Sequence, residues 1–384
     1  MDLIEVEEGT TRFFVPRQDA SSPFPPGSAA VFYNRRMELN RDGTVLFVTV
    51  LQPSEYLDAM GATGVRGLRI ATECGIGVTI NDRDPGAYEL IRKNAACQDR
   101  EITVTCRNVH SLLAERRFDA VDIDPFGSPA PFIDSAVRGT GRFLMVTATD
   151  TAPLCGAHQR AGTRRYFAQP ANNEFHTETG LRTLLAFIVR ETVKYDRGIE
   201  PLFCYAREHF VRAHFRLTHG AAAADRAVGR IGYVFVCTCC QERAEQTGLI
   251  PESRHCEACG GPMLPAGPLW LGGLQDPAVI RGMKEALPEM KLNTARHLAT
   301  LLDLLGEELP TSSHYDYHAL AKRGKVSPPP IDEVISSLRQ HGHRASRAHY
   351  SGTALKTDAP AREIISVITQ FHQRENDPEL AVQE

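Results

Sequence analysis

The chain carries no positive excess: 43 lysines and arginines face 47 aspartates and glutamates, a net charge of −4. A protein that coats nucleic acid by bulk charge is therefore excluded, and any basic surface must be local. No uninterrupted apolar run is long enough to span a bilayer. No internal repeat is present, which excludes a solenoid or repeat array. The start, Met1–Glu8, is acidic and lacks the layout of a signal peptide, so a cytoplasmic location is expected. Of ten cysteines, four fall in two C-x-x-C pairs and the rest are scattered. That excludes a disulfide framework and suits a reducing compartment with a metal site. What is there is ordinary globular composition over 384 residues, enough for two or three domains with a core each.

The most informative stretch is Phe118-Asp119-Ala120-Val121-Asp122-Ile123-Asp124-Pro125-Phe126-Gly127-Ser128. Ala120, Val121 and Ile123 suit a buried strand, and Pro125 and Gly127 then force the chain out of it. Asp124 and Phe126 are left at the strand's carboxyl end, where open α/β sheets bind ligands. A carboxylate and the Pro125 carbonyl can accept both hydrogens of an exocyclic base amine, and a ring beside them can stack on that base.

Upstream, Glu55–Leu57 reads as a strand entering the turn Asp58–Gly67, whose glycines have the spacing G-x-x-G-x-x-G. This is not the dinucleotide fingerprint, but glycines such as Gly61 let the backbone approach a ligand closely. Val78–Ile80 is a second strand followed by Asp82, placed to hold two ribose hydroxyls. Asp84-Pro85 reads instead as a helix start. Ile102–Cys106 is a third strand with Asn108 and Val109 at its end, an amide for an adenine edge and an apolar neighbour for the ring. Phe118–Asp124 is the fourth strand and Arg142–Thr149 the fifth. Alternating strands and helices imply a parallel, doubly wound sheet. A glycine turn, an acid, a polar residue and D-P-F after successive strands are the layout of a class I methyltransferase using S-adenosylmethionine.

Val31–Asp42 places Phe32, Tyr33, Arg36 and Arg41 close together. Its residues alone favour a surface helix with solvated charges. Leu181, Leu184, Leu185, Ile188 and Val189 form a helical apolar stripe that reads as core. Leu202–Leu217 suits antiparallel edge strands.

Cys237, Cys240, Cys256 and Cys259 give C-x-x-C, fifteen residues, C-x-x-C. Four thiolates close a tetrahedral shell, so this zinc site is expected to be structural. Further on, Ile331–Gln340 is an amphipathic helix after three prolines, and His314–Lys322 a shorter one before it; together they read as winged-helix-like. No acid lies between Val334 and Thr357, while Arg339, Arg344, Arg347 and Lys356 do. That face reads as a nucleic-acid contact. Arg160, Arg164, Arg165 and Tyr166 form a second small basic cluster.

Phe32-Tyr33-Asn34, Asn40-Arg41-Asp42, the Asp58–Gly67 turn, Asp122–Ser128, Thr147–Gly156 and Ser346–Pro360 together resemble the tRNA guanine-26 N2-dimethyltransferases, in their archaeal form. The resemblance implies an α/β fold: a Rossmann-like class I methyltransferase domain over 1–230, then a C-terminal tRNA-binding domain over 231–384. The latter would hold a zinc ribbon near 231–265 and a winged-helix-like module near 310–374. It implies S-adenosylmethionine and a structural zinc ion as cofactors, and tRNA as partner. Asp124, Pro125, Phe126 and Phe32 would surround the base. Arg36 or Arg41, with Arg66 as a further candidate, would meet the methionine carboxylate over the Asp58–Gly67 loop. Asp82, Asn108 and Val109 would take the nucleoside. A DNA amine methyltransferase and a non-catalytic tRNA-binding protein are the alternatives.

Overall fold

Short apolar strands alternating with amphipathic helices build the centre of the molecule, seen in a computed structural model that describes residues 2–17, 31–207 and 209–376. The chain opens with an antiparallel pair, β1 (Leu3–Glu8) and β2 (Thr11–Pro16). After α1 (Glu38–Leu51) come β3 (Glu55–Asp58), α2 (Val65–Cys74), β4 (Gly77–Asn81), α3 (Pro85–Ala95), β5 (Ile102–Thr105), α4 (Val109–Glu115), β6 (Phe118–Ile123), α5 (Ile133–Gly139) and β7 (Thr140–Ala148). Then follow α6 (Thr151–Leu154), α7 (Gln159–Tyr166), α8 (His176–Val193), β8 (Arg197–Arg207), β9 (Phe210–His219) and α9 (Ala221–Val228). The loop expected at Ser21–Gly27 and the chain end past residue 376 lie outside the described residues.

Seven strands form one sheet in the order β5-β4-β3-β6-β7-β9-β8. The first five run parallel, and β9 and β8 pair antiparallel on the β7 side. This is the class I methyltransferase arrangement that the motif order implies. Between β3 and β6 the chain order reverses, which opens a crevice at the strands' carboxyl ends.

Strand alternation sorts the side chains between two cores. Ala120 and Tyr56 face the side covered by α1 and α2, while Val121, Ile123 and Leu57 face the α4, α5 and α8 side. On α8, Leu181, Leu184, Leu185, Ile188 and Val189 are all fully buried, as their spacing predicts. Each such side chain contributes about 1.5–3 kcal/mol by leaving water. The α3 start is also as its sequence indicates. Asp84 caps it by accepting the Ala87 N–H at 2.8 Å, and Pro85 occupies the first turn, where no amide partner is needed.

The rest of the chain is β10 (Ile231–Cys237), β11 (Arg243–Thr247), β12 (Arg254–His255), β13 (Pro262–Trp270), α10 (Pro277–Ala286), α11 (Ala295–Glu307), β14 (Tyr315–Asp316), α12 (Tyr317–Gly324), α13 (Ile331–Gln340), β15 (Ala345–Arg347), β16 (Ala354–Thr357) and α14 (Ala361–Asn376). The ribbon sheet runs β11-β10-β13-β12, and β14-β16-β15 form the small sheet of the C-terminal module. The helix expected at His314 starts at Tyr317 instead, because Asp316 caps it and Tyr315 pairs with Leu355 in the small sheet.

The cores do not divide at residue 231. Ile231, Trp270 and Leu274 join the α8 side of the large sheet. Val279, Ile280, Met283, Leu298 and Leu302, on α10 and α11, pack into the α1 side. The ribbon and the module around α12–α14 have small cores of their own.

The α1 segment corrects its sequence reading. Glu38, Asn40, Arg41 and Asp42 are buried, not solvated. Their partners come from distant segments: Arg41 donates to Glu8 at 2.7 and 2.5 Å, and Asp42 accepts from Arg69 at 2.6 Å.

Candidate active site

A cavity of about 640 Å³ opens at the carboxyl ends of the parallel strands. Phe32, Arg36, Arg41, Asp58, Gly61, Arg66, Asp82, Asn108, Val109, Asp124, Pro125 and Phe126 all line it. Residues 32 to 126 converge there because a parallel sheet brings the ends of neighbouring strands together.

On one side, β3 ends in Asp58, whose carboxylate accepts the Gly67 N–H at 3.0 Å and closes the turn. Burial pushes this carboxyl up to about 7, with the nearby Arg66 opposing the rise. The turn itself is tight: Gly61 donates to the Asn81 carbonyl at 2.8 Å, and a Cβ there would meet Ile80 at 2.5 Å. Asp82 accepts the Ala62 N–H at 2.9 Å and the Asp84 N–H at 2.9 Å, one on each oxygen. Each oxygen keeps a second lone pair for a ligand. Asn108 caps α4, accepting the His110 N–H at 2.9 Å through its side-chain oxygen. Val109 is buried at the next position, and His110 stacks on Phe132 with centroids 5.4 Å apart. His110 and Phe132 are wall residues that carried no signal in the sequence.

On the other side, Asp124 follows β6. Its carboxylate is bound by the Arg66 guanidinium, which also donates to Asn40 at 2.9 Å and Thr44 at 3.0 Å. Arg66 lies 3.7 Å from Asp122, the preceding acid of the same strand. Asp122 is fully buried, held by Arg212 at 2.8 and 2.5 Å and by the Tyr56 hydroxyl at 2.7 Å. Burial alone would raise the Asp122 carboxyl, but Arg212 and Arg66 pull it well below the usual carboxylate range. Burial and the Arg212 charge hold His214 well below the usual imidazole range, so it is neutral. Strand alternation explains the pair: Asp122 points into the sheet face under α1, and Asp124 lies one step past the strand end, 22% exposed to the cavity.

Three of the lining residues make contacts that the sequence does not show. Arg41 lines the cavity but is 5% exposed, with Nε and one Nη held by Glu8. Arg66 also lines the cavity and is ion-paired with Asp122 and Asp124. Phe126 is 74% exposed, and its ring meets Phe32 edge-on with centroids 4.2 Å apart. A base sandwiched by two rings needs them about 7 Å apart. One ring must therefore swing aside before a base enters between them.

The basic residues picked out near the C-terminus all have partners within the protein. Arg344 pairs with Asp358 at 2.8 Å, and Arg347 with Asp332 at 2.8 and 2.9 Å. These acids sit just outside the acid-free stretch and fold back onto it. Arg339 donates to the Ala345 carbonyl at 3.0 and 2.7 Å. Lys356 is 1% exposed and bridges Glu178 and Glu308 at 2.8 and 2.9 Å, which removes it from any nucleic-acid surface. Of the second cluster, Arg165 pairs with Asp150 at 3.0 Å and Tyr166 is buried, while Arg164 is exposed.

The sulfurs of Cys237, Cys240, Cys256 and Cys259 lie within 4.8 Å of one another. Cys237 and Cys259 are 3.4 Å apart and Cys240 and Cys256 3.5 Å, near the edge of about 3.8 Å that a tetrahedral Zn–S shell has. The Cys239 and Cys240 amides point at the Cys237 sulfur at 3.4 and 3.5 Å, as a thiolate favours. Four sulfur donors in this arrangement fit zinc and leave no open position.

The sequence matches the family described as "TRM: N2,N2-dimethylguanosine tRNA methyltransferase" over residues 9–369. The chain belongs to this family. It is 60% identical over 360 residues to the tRNA (guanine(26)-N(2))-dimethyltransferase of Methanoregula boonei, covering 94% of this chain and 96% of that one. The Methanoculleus marisnigri protein of the same name is 58% identical, covering 96% and 100%. Among solved structures, Trm1 from Pyrococcus horikoshii with S-adenosyl-L-methionine superposes with a TM-score of 0.87 at 36% identity, covering 95% of this chain and all of that one. The dimethyltransferase names recur at that coverage, so the DNA-methylating and non-catalytic readings give way.

Proposed function

We propose that this enzyme transfers one and then a second methyl group from S-adenosylmethionine to N2 of guanine 26 in tRNA. The observation that carries the reading is that Asp124, Pro125 and Phe126 share one cavity with the cofactor-side residues Asp58, Asp82, Asn108 and Val109.

A cavity of this volume suits a cofactor of that size, and its donor set suits the parts. Asp82 takes the ribose hydroxyls. Asn108 uses its oxygen as a helix cap, which leaves its NH₂ to donate to the adenine edge, with Val109 against the ring. Asp58 faces the methionine ammonium. Arg36 or Arg41 meets the carboxylate, with Arg66 as a further candidate; all three line the cavity. When bound, the cofactor supplies an electrophilic methyl group on a sulfonium.

A guanine within a paired, stacked region must be flipped out to reach this cavity. Its N2 is a poor nucleophile, since the lone pair is delocalised into the ring. The Asp124 carboxylate and the Pro125 carbonyl accept its hydrogens and draw the lone pair out of conjugation. Asp124 also stabilises the positive charge that develops on nitrogen, and takes the proton. Phe126 stacks on the base, and Phe32 swings to cover its other face. After the first transfer one N–H remains, and either acceptor can hold it for the second. The rest of the rate comes from aligning nitrogen, methyl carbon and sulfur.

The zinc ribbon is structural, and metal analysis is expected to give one zinc per chain. A tRNA substrate and thiolate ligands support a cytoplasmic location; among the described residues no helix is long and apolar enough to cross a membrane. The test is an unmodified tRNA transcript with labelled cofactor, followed by nucleoside mass spectrometry. Dimethylguanosine that disappears when guanine 26 is replaced by adenine is expected. Product that persists with adenine at that position would contradict the assignment.

A further inference from the structure

Helix α7 and the residue that ends it form a surface the catalytic account does not use. Phe167 caps α7 in the left-handed conformation, with φ 47° and ψ 44°, and is 68% exposed. A bulky side chain is unfavourable in that region. Its backbone is fixed there by Arg190, which donates to the Phe167 carbonyl at 3.1 Å and the Tyr166 carbonyl at 2.5 Å. Folding alone gains nothing from a phenyl ring held in this conformation and turned to water.

Arg160 and Arg164 lie one turn apart on α7 and are exposed. Among the described residues, neither has a carboxylate partner. The stretch Thr151–Asn173 contains no acid at all. This differs from the C-terminal module, where Asp332 and Asp358 neutralise the arginines. The face is also tied to the reaction loop. Tyr166 hydrogen-bonds Ser128 at 2.7 Å, directly after Phe126-Gly127, and donates to Asp150 at 2.7 Å.

We infer that Arg160, Arg164 and Phe167 form the docking face for the RNA strand that flanks the flipped guanine. The arginines meet its phosphates, and Phe167 stacks on an unpaired base beside the target. The inference rests on the reading of the chain as a tRNA methyltransferase. Charge complementarity and continuity with the Ser128 loop select this occupant.

The test uses the full-length protein and unmodified tRNA transcript, with tRNA binding measured across a salt series. Replacing both arginines (R160A with R164A) is expected to weaken binding at least about fivefold and to flatten the log–log salt slope by about 1.5. Phe167→Ala is expected to weaken it about fivefold to a hundredfold, while Phe167→Trp restores it. Phe167→Gly separates docking from folding. Glycine accepts the left-handed conformation, so the melting temperature should hold or rise while tRNA affinity falls. In every variant, cofactor affinity should stay as in the wild type. Unchanged tRNA affinity and salt slope in all variants would overturn the docking face alone, provided the wild type still methylates tRNA. A wild type that binds cofactor but neither binds nor methylates tRNA would instead overturn the functional reading.

Discussion

Two of the buried ionic clusters face different surroundings, and of these two only the first opens to the cavity. The first joins Asp122, Arg212, Arg66 and Asp124, with Asn40, Thr44 and Thr147 as neutral partners. The second joins Glu178, Arg182, His314, Lys356, Glu308 and His349, and ties α8 to α11 and the C-terminal sheet. Every member of the second is almost fully shielded from water. In the first, Asp124 is 22% exposed while Asp122, two residues earlier, is fully buried. The comparison teaches what burial is for in each place. The closed cluster fixes one part of the fold against another. The other holds a carboxylate in place from behind and leaves its front for a substrate.

Removing a cation from either cluster strands buried carboxylates, at a cost of about 3–5 kcal/mol. Arg66→Met and Lys356→Met should both show this in denaturant unfolding. Only Arg66→Met should also lower kcat, measured well below the unfolding transition. Equal kcat losses in the two variants would erase the distinction between the clusters.

The closed cluster should also govern acid stability. Burial raises Glu308, but Lys356 and His349 bring it down to about 2, against an ordinary 4.5. Burial likewise raises Glu178, while Lys356 and Arg182 hold it well below the usual range. Both are lowered carboxylates, so their stabilisation is complete above about pH 4.5 and is lost as pH falls toward 2. Unfolding midpoints followed over that window should drop, and Glu308→Gln should make the drop shallower.

At the open site the sign is reversed. Asp58 is raised to about 7, so below that pH the free enzyme holds it protonated. A cationic ligand group beside it favours the ionised form. Cofactor affinity should therefore weaken up to about tenfold per pH unit below 7. Calorimetric titration at several pH values checks this, and Asp58→Asn should remove the dependence.

The smallest effect belongs to the exposed pair of Arg344 and Asp358. Arg344→Ala should cost less than about 1 kcal/mol in unfolding and leave the salt slope of tRNA binding unchanged. A reduced slope would return Arg344 to the nucleic-acid surface.

How much of this could be read from the sequence follows from how local each feature is. Asp82, Asn108, Val109 and Asp124 were legible because strand ends are marked by nearby acids, amides, prolines and glycines, and a parallel sheet gathers those ends. The ribbon was legible because two C-x-x-C pairs need no other context. What the charges pair with was not. Nothing near Arg41 in the chain announces its buried partner Glu8, 33 positions earlier. Lys356 reads as a surface cation until Glu178 arrives from a distant helix. Arg66 reads as a loop residue until Asp124, 58 positions on, comes to rest against it. Such pairs are set by tertiary packing and leave no period or spacing in the chain.

The central claim is that Asp124, at the open end of its cluster, acts on the guanine amine, while the rest of the cluster holds it in place. The most direct measurement is methyl transfer to unmodified tRNA by Asp124→Ala, read as dimethylguanosine by mass spectrometry beside cofactor and tRNA affinities. The account predicts a loss of about a hundredfold to a thousandfold in transfer, with both affinities close to wild type. Wild-type amounts of dimethylguanosine from that variant would contradict it.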